Sequence, residues 1–290
     1  MTKTAEAVSH GAATIVNAIA TGKGAAFGID LWTRARVQLT DKPGTITGNI
    51  VSDPTENPVL IEKTVGKVFE YFNLGERFGA KVRTWSNIPI ARGLKSSSVA
   101  GNAIALATVA ALDRSLDDLT IVNLGVEAAI EAKVTITGAF DDACASYFGG
   151  VVATENLKRR IVKRFEIAEP LTVLFYVPAK KAYTSGSNVP RMKSLAPLVR
   201  IAYKEAVKGK YWSALTLNGL IYSSALGYDP SIAVDALMAG ALAAGLSGTG
   251  PAVTAVVSEE KNDDVKDAWQ AYEGDILQAQ VNHEKAKVVG

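Results

Sequence analysis

The stretch Pro89-Ile-Ala-Arg-Gly-Leu-Lys-Ser-Ser-Ser-Val-Ala100 decides how this sequence is interpreted. A proline and a glycine end a strand-like segment, three serines follow, and the run from Val99 to Leu112 is typical of a buried helix. The N–H groups in the first turn of a helix have no partner inside the helix and carry a partial positive charge. We therefore predict a phosphate-binding turn at the start of this helix.

A second glycine-rich turn, Gly245-Leu-Ser-Gly-Thr-Gly-Pro251, lies near the other end of the chain. Glycine tolerates positive φ angles and lets a main chain approach a ligand closely. Two turns of this kind, far apart in sequence, favour a nucleotide and a substrate held between two halves of the protein. The pattern indicates an enzyme that phosphorylates a small molecule.

The composition predicts a globular protein that does not depend on nucleic acid. The chain has 290 residues, enough for two domains with a core each, and 48% of them are hydrophobic. Its net charge of +2 comes from mixed signs without a long basic block. The short basic cluster Lys158-Arg159-Arg160 is interpreted as a solvated edge between two strands. We therefore expect no nucleic acid partner.

The chain also lacks the sequence signs of secretion and membrane insertion. Its first residues, Met-Thr-Lys-Thr-Ala-Glu, do not have the basic start and apolar core of a signal peptide. The most apolar run, 232–246, is short and interrupted by Asp235 and glycines, so it predicts a buried segment. A single cysteine, Cys144, excludes an internal disulfide and fits a reducing compartment. These features predict a cytoplasmic protein without a membrane partner.

The order of predicted elements favours an α+β fold. Strands are predicted over 31–39, 45–51, 81–88, 151–154, 161–167, 171–177, 252–257 and 276–281. Helices are predicted over 58–72, 99–112, 116–133, 189–208, 212–225, 231–244 and 263–272. Strands and helices do not alternate strictly, which argues against a doubly wound sheet. We divide the chain into an N-terminal domain, 1–155, and a C-terminal domain, 156–290.

The two common nucleotide-binding fingerprints are absent from the sequence. The Gly-Lys pairs at 22–23, 66–67 and 209–210 lack the serine or threonine and the glycine spacing of the P-loop. The glycines of 245–250 stand in the wrong order for the dinucleotide motif and precede a strand. One cysteine and two histidines leave little for a zinc site. The chemistry must therefore depend on other groups.

Carboxylates are the best candidates for that chemistry. Asp141 and Asp142 are adjacent at the start of a small-residue helix, where acidic residues can serve as caps or as a general base. Phosphoryl transfer needs a hydroxyl in line with the phosphate, a nearby carboxylate and Mg²⁺. Glu131, on the preceding helix, could be a ligand of Mg²⁺ together with a serine hydroxyl, or an ordinary solvated residue. The sequence alone leaves both alternatives open.

Four motifs in order resemble those of the GHMP kinases, the family of galactokinase, homoserine kinase and mevalonate kinase. They are the first motif within 20–31, the phosphate loop from Pro89 to Ser97, Phe140-Asp-Asp-Ala143 and Gly248-Thr-Gly-Pro-Ala252. The sequences of 17–30 and of Arg92-Gly-Leu-Lys-Ser-Ser-Ser98 most resemble those of the archaeal-type shikimate kinases within this family. In the phosphate loop Lys95 replaces the usual glycine, and Ser98 replaces alanine. The resemblance implies a two-domain α+β kinase with ATP and acceptor in the cleft between the domains.

The resemblance also implies roles for individual residues. ATP would be bound by the phosphate loop and the C-terminal glycine-rich motif, that is by Pro89, Arg92, Gly93, Leu94, Lys95, Ser96, Ser97, Ser98, Gly248 and Gly250. Ser97 and Glu131 would hold Mg²⁺. Asp141 would be the base or the group that orients the acceptor, with Asp142 beside it. Mevalonate-type members have a lysine near this carboxylate where this chain has Ala12, so we expect catalysis to depend more on positioning than on a strong base.

The acceptor implied by the resemblance is shikimate, whose carboxylate calls for a cation. Candidate contacts are Asn17, Lys23, Arg191 and Lys193, the last two beside the polar loop 184–191. That loop is either a lid over the site or an ordinary surface connection. We therefore predict ATP- and Mg²⁺-dependent formation of shikimate 3-phosphate. The alternatives are a homoserine kinase or a catalytically silent sensor with the same fold. The sequence does not determine the oligomeric state.

Overall fold

In the computed structural model, which describes residues 3–90, 92–179 and 188–289, the first sheet is built on a long hairpin. β1 (Thr4–Val16) pairs antiparallel with β2 (Lys23–Thr40). Buried and exposed residues alternate along the second half of β2, which is the half that the sequence predicts. The end of β1 and the start of β2 are buried runs of small and apolar residues, because this part of the hairpin is covered on both faces.

Four further strands extend the first sheet on both halves of β2. They are β3 (Ile46–Ile50), β4 (Gly79–Ser86), β5 (Val151–Glu155) and β6 (Arg160–Phe165). β4 pairs with the second half of β2 and lies parallel to β3. β5 pairs with the first half of β2 and with β6. The single strand β2 therefore connects two groups of strands within one sheet.

Helices cover one side of this sheet. They are α1 (Val59–Tyr71), α2 (Ser96–Ala111), α3 (Asp118–Glu131) and α4 (Phe140–Phe148). α2 is apolar nearly all round, and most of its residues are buried between the hairpin and its neighbouring helices. The Asp117 carboxylate caps α3 by accepting a hydrogen bond from the Thr120 N–H at 3.0 Å. The starts of α2 and α4 lie at the same edge of the sheet, where they contribute to the cavity described below.

The second sheet is antiparallel throughout the described residues. Its strands are β7 (Thr172–Val177), β8 (Ala243–Leu246), β9 (Val253–Val257) and β10 (Asp275–Gln280), in the order β10-β7-β9-β8. Its helices are α5 (Val189–Ser194), α6 (Ala196–Val207), α7 (Tyr211–Leu226), α8 (Ser231–Met238) and α9 (Asn262–Trp269). β11 (Lys287–Val288) then returns to the first sheet and pairs with β1.

The two halves share a hydrophobic core. Ile15 of β1 and Phe27 of β2 are fully buried together with Phe175 of β7 and Leu215 of α7. The Phe27 ring also packs edge-to-face on Trp212, with 5.2 Å between the ring centroids. The hairpin therefore crosses from one half of the molecule to the other, and its turn region at 17–22 lies where both halves meet.

The α+β prediction is confirmed, but two of the predicted helices are not single continuous helices. The segment 189–208 forms two helices, because Pro197 has no N–H to donate and breaks the helical hydrogen bonding near Leu195. The segment 231–244 is helical only to Met238, and residues 243–246 pair with β9 instead. The division at residue 155 stays a prediction; β6 and β11 lie in the first sheet. Among the described residues, every helix is too short or too polar to traverse a bilayer.

Candidate active site

A cavity lies between the start of α2, the start of α4 and the turn that follows β8. Its polar end is lined by Thr14, Asn17, Lys95, Asp141, Asp142 and Thr249. Along the first sheet, apolar side chains such as Ile50, Leu60, Ile90, Ile104 and Ile136 line it together with polar ones such as Asn57, Thr84 and Ser86. The cavity therefore combines a charged end with a mixed apolar and polar wall, as a site for an amphipathic ligand requires.

The phosphate turn predicted from the sequence forms one wall of this cavity. Gly93 has a φ of 83°, and Lys95, the residue before α2, has a left-handed conformation with φ 62° and ψ 22°. Among the described residues, no acceptor binds the main-chain N–H groups of Lys95, Ser96 and Ser97 or the hydroxyls of the two serines. These donors at a helix start form a cradle for an anion.

The two glycine-rich turns meet directly. The Ser247 hydroxyl donates to the Gly93 carbonyl at 2.8 Å, and the Ala252 N–H donates to the Arg92 carbonyl at 3.2 Å. A Cβ atom at position 93 would lie 2.9 Å from the Ser247 carbonyl oxygen. The junction therefore requires glycine for two reasons, the lack of space for a side chain and the positive φ. The sequence predicts both turns, and the structure brings them together across the two halves.

Asp141 and Asp142 lie in the first turn of α4 and are 3% and 6% exposed. The residue before α4 is Ala139, and neither carboxylate caps the helix, so the capping interpretation is wrong. Asp142 accepts a hydrogen bond from the Thr14 hydroxyl at 3.3 Å and faces the Lys95 ammonium at 3.6 Å. Asp141 accepts one from the Asn156 amide at 2.7 Å. The two adjacent carboxylates are therefore held by different elements.

The electrostatics of this pair differ between its members. Burial raises the pKa of Asp141 to about 7, the neighbouring charge of Asp142 adds to the effect, and the Asn156 amide and Lys95 oppose it. Burial also raises the pKa of Asp142, but Lys95 and the Thr14 hydroxyl act directly against it. Asp142 is thus the carboxylate with a counter-ion, and Asp141 is the one that can exchange a proton near neutral pH.

The predicted acceptor contacts are distributed unevenly around the cavity. Asn17 is buried and lines the cavity, and its side-chain Oδ1 accepts a hydrogen bond from the Ile19 N–H at 2.9 Å. Lys23 instead forms an ion pair with Glu155 at 3.3 Å and lies over the Tyr203 ring. Arg191 and Lys193 are exposed residues of α5, which packs against the turn 18–20 beside Asn17. Residues 184–187 of the predicted lid lie outside the described residues.

Of the remaining predicted nucleotide contacts, Leu94 and Ser98 also line the cavity, while Pro89, Arg92, Gly248 and Gly250 do not. The Arg92 guanidinium donates to the Pro178 carbonyl, and the Arg92 carbonyl receives the Ala252 bond described above. Pro89 precedes the turn and is partly exposed. Gly250 packs against Tyr228, and Gly248 lies against the Lys95 ammonium. Leu94 is buried in the core, and Ser98 is buried in the first turn of α2.

Glu131 does not lie with Ser97 in the cavity. Its carboxylate is held by the ammonium groups of Lys63 at 2.7 Å and Lys67 at 3.1 Å, on the outer side of α1 and α3. Both lysines, through their hydrogen bonds, lower the pKa of Glu131. The described residues also contain no cluster of three or more His, Cys, Asp or Glu side chains that could hold a metal ion. The expected pairing of Ser97 and Glu131 as metal ligands is therefore not formed here.

Two site residues could not be found from the sequence. Thr14 lies in the unpredicted strand β1, and Asn156 lies in the turn between β5 and β6, where polar residues are usual. The same turn corrects the interpretation of the basic cluster beside it. Lys158 and Arg160 form surface ion pairs with Glu155, but Arg159 turns inward and lies 5.8 Å from the centroid of the Phe140 ring. The turn thus supports the start of α4.

Comparison with known proteins agrees with the motifs. Two family models match, GHMP kinases N terminal domain over residues 60–150 and GHMP kinases C terminal over residues 232–274. The shikimate kinase of Methanosarcina mazei is 46% identical, covering 99% of this chain and 97% of that protein. The shikimate kinase of Methanothermobacter thermautotrophicus is 44% identical, covering 97% of this chain and 96% of that protein.

The fold agrees as well. A homoserine kinase from Cytophaga hutchinsonii superimposes with a TM-score of 0.73 at 17% identity, covering 100% of this chain and 98% of that one. At that identity the likeness concerns the fold alone. The family resemblance predicted from the four motifs is therefore confirmed. The chain belongs to the GHMP kinase family and, within it, to the archaeal proteins related to shikimate kinase.

Proposed function

We propose that this protein transfers the terminal phosphoryl group of ATP to a hydroxyl of shikimate, giving shikimate 3-phosphate and ADP. Membership of the GHMP kinase family supports the use of ATP and of a small-molecule substrate. The observation that supports the reaction most directly is the junction of the two glycine-rich turns beside Asp141 and Asp142. It puts free N–H donors next to buried carboxylates in one cavity.

The two parts of the cavity fit the two parts of ATP. The free N–H groups of Lys95, Ser96 and Ser97 suit the triphosphate, and the apolar side chains along the first sheet suit the base. Mg²⁺ usually enters such sites with few protein ligands, because the phosphates and water supply the rest. The unpartnered hydroxyl of Ser97 fits one of those positions, and Glu131, which two lysines hold, does not. When bound, Mg²⁺ would neutralise charge on the phosphates.

The chain's own residues supply position and charge for the transfer. The acceptor oxygen forms a bond to the terminal phosphorus while the bond from that phosphorus to the leaving ADP oxygen breaks. Asp141 takes the proton of the acceptor hydroxyl or orients that hydroxyl, since its raised pKa suits proton exchange near neutral pH. The helix start and Lys95 stabilise the negative charge on the phosphoryl oxygens.

The acceptor lies between α4 and the hairpin turn in this proposal. Asn17 lines the cavity there, and the amide NH₂ of its side chain has no partner among the described residues. Arg191 and Lys193 are exposed on the adjacent α5, and we assign the acceptor carboxylate to them. Lys23 is the weaker candidate, because its ammonium is already in an ion pair with Glu155 and it does not line the cavity.

Coupled ADP release with Mg-ATP tests the proposal, with shikimate, homoserine and mevalonate compared as acceptors. We expect turnover with shikimate alone. Turnover with homoserine instead would overturn the substrate assignment and leave the kinase activity. ATP binding without turnover on any acceptor would favour a silent sensor. We further propose that the protein acts in the cytoplasm and binds neither nucleic acid nor membrane.

A further inference from the structure

Lys95 has a main-chain conformation that lysine disfavours. Its φ of 62° and ψ of 22° lie in the left-handed region, where a side chain crowds the following carbonyl and glycine is the usual residue. A residue is kept in this conformation where the surrounding structure fixes it. The contacts of the Lys95 side chain are therefore of interest.

The partner of the Lys95 side chain is Asp142. The Lys95 Nζ lies 3.6 Å from the Asp142 Oδ2, and the two side chains are only 13% and 9% exposed. In the other ion pairs of the described residues the lysine side chain is 24–70% exposed, so Lys95 is the most enclosed of them. An enclosed ion pair is screened little by water or salt. Among these ion pairs, the Lys95–Asp142 pair is accordingly the strongest candidate for a functional role.

The Lys95 ammonium also lies against the second glycine-rich turn. Gly248 has a φ of 63°, and a methyl group on it would occupy the place of the Lys95 ammonium. The ammonium therefore lies at the point where the phosphate turn, the carboxylates of α4 and the turn of the other half come together.

We propose that Lys95 is a positioning residue that acts through Asp142. Its ammonium keeps Asp142 ionised and fixed, so that Asp141 is the carboxyl of the pair that exchanges a proton during turnover. This inference deepens the proposed kinase function and rests on it for the turnover. Its electrostatic part, the coupling of Lys95 to the carboxyl pair, does not depend on the identity of the acceptor.

The groups that face the pair come from several elements. The phosphate turn contributes Lys95, β1 contributes the Thr14 hydroxyl, and the turn after β5 contributes the Asn156 amide. Burial raises the pKa of Cys144 of α4, Tyr203 of α6 and Tyr222 of α7, and the charge of Asp141 adds to the effect in each. Lys95 is the cation that lowers the pKa of both carboxyls, so its removal is expected to raise both.

Lys95→Gly tests the inference, because glycine relieves the backbone strain while it removes the charge. The fold should be retained at pH 5, where protonation relieves the carboxyls that lose their counter-ion, and thermal stability should fall more at pH 8 than at pH 5. A folded variant at pH 5 separates an effect on chemistry from misfolding. Removing a cation at this distance should move the acidic limb of the pH profile of kcat upward by about one unit or more, with about a tenfold loss at pH 7. Lys133→Gly is the matched control, since Lys133 is an exposed lysine with a φ of 58°. It should leave the profile unchanged.

A second variant decides whether Lys95 acts through Asp142 or only on the phosphates. If it acts through Asp142, Lys95→Gly should shift the acidic limb less in the Asp142→Asn background than in the unmodified protein, because only its direct effect on Asp141 is left. Equal additional losses in both backgrounds, with a weakened ATP affinity and an unmoved limb, would overturn the inference.

Titration of the aspartate carboxyls by ¹³C NMR gives a readout that needs no acceptor. In Lys95→Gly the carboxyl pair should titrate at higher pH than in the unmodified protein, and in Lys133→Gly it should not. An unchanged titration would overturn the inference even if shikimate is a substrate. A shifted titration in a protein inactive towards shikimate would instead retain the coupling and reject the proposed acceptor.

Discussion

Replacement of Asp141 by asparagine should stabilise the protein at neutral pH while it abolishes most of the turnover. Asparagine has nearly the shape of aspartate, and its carbonyl oxygen can still accept the bond that Asn156 donates at 2.7 Å. What the substitution removes is a carboxyl group that is 3% exposed and next to a second carboxyl. Its ionisation inside the protein is unfavourable.

The sign and size of the effect follow from the pKa of Asp141. Its pKa is about 7 in the folded protein and 3.8 in the unfolded chain, so the folded state holds the proton more tightly between these values. The contribution of Asp141 to the free energy of unfolding is therefore fully present below pH 3.8 and is lost as the pH rises through 7. At 1.36 kcal/mol for each unit, the loss above pH 7 is of the order of 4 kcal/mol. Asp141→Asn should recover a substantial part of it.

Urea unfolding at pH 5 and pH 8 measures this directly. The difference in unfolding free energy between variant and unmodified protein should be larger at pH 8 and favour the variant, while ATP binding is retained and turnover is lost. Asp263→Asn is the control, because that side chain is 90% exposed, and it should change stability by less than about 0.5 kcal/mol at either pH. An Asp141→Asn variant that is no more stable at pH 8 than at pH 5, or that keeps its turnover, would refute the reasoning.

Three further substitutions test other parts of the site. Gly93→Ala should lower kcat/KM for ATP at least about a hundredfold, because the φ of 83° and the Ser247 carbonyl oppose a side chain; an ATP titration that shows normal affinity would contradict it. Asn156→Ala should shift the acidic limb of kcat to higher pH, since the amide that lowers the pKa of Asp141 is lost; an unmoved pH profile would disprove this. Glu131→Gln should change turnover and the Mg²⁺ requirement less than about threefold, because its partners are Lys63 and Lys67; a raised Mg²⁺ requirement would restore it as a ligand.

The predictions that held depend on local chemistry. The phosphate turn is recognisable because proline, glycine and serines precede an apolar helix, and the second turn because of its closely spaced glycines. Glycine and the donors of a helix start act through their own backbone, so neighbouring residues suffice to identify them. The buried strand β7 is equally clear from its apolar, β-branched run.

The predictions that failed depend on packing. β1 has few alternating polar residues because both of its faces are partly covered. The sequence of one strand does not show which other elements will cover it. Residues 243–246 continue an apolar helical pattern, and only the pairing with β9 makes them a strand. Glu131 has the right spacing for a site residue, but α3 turns it towards the lysines of α1.

The sequence by itself determined the family, the α+β class and the two glycine-rich turns, because short motifs and local backbone chemistry suffice to identify them. The tertiary structure alone decided which charges meet: Lys95 with Asp142, Asn156 with Asp141, and Glu131 with the lysines of α1. Such partners are separated by many residues in the chain, and ionic and hydrogen-bond contacts form over only a few ångströms. Their identity is therefore fixed by how the hairpin, α2 and α4 pack, and that packing determines which carboxylate can exchange a proton.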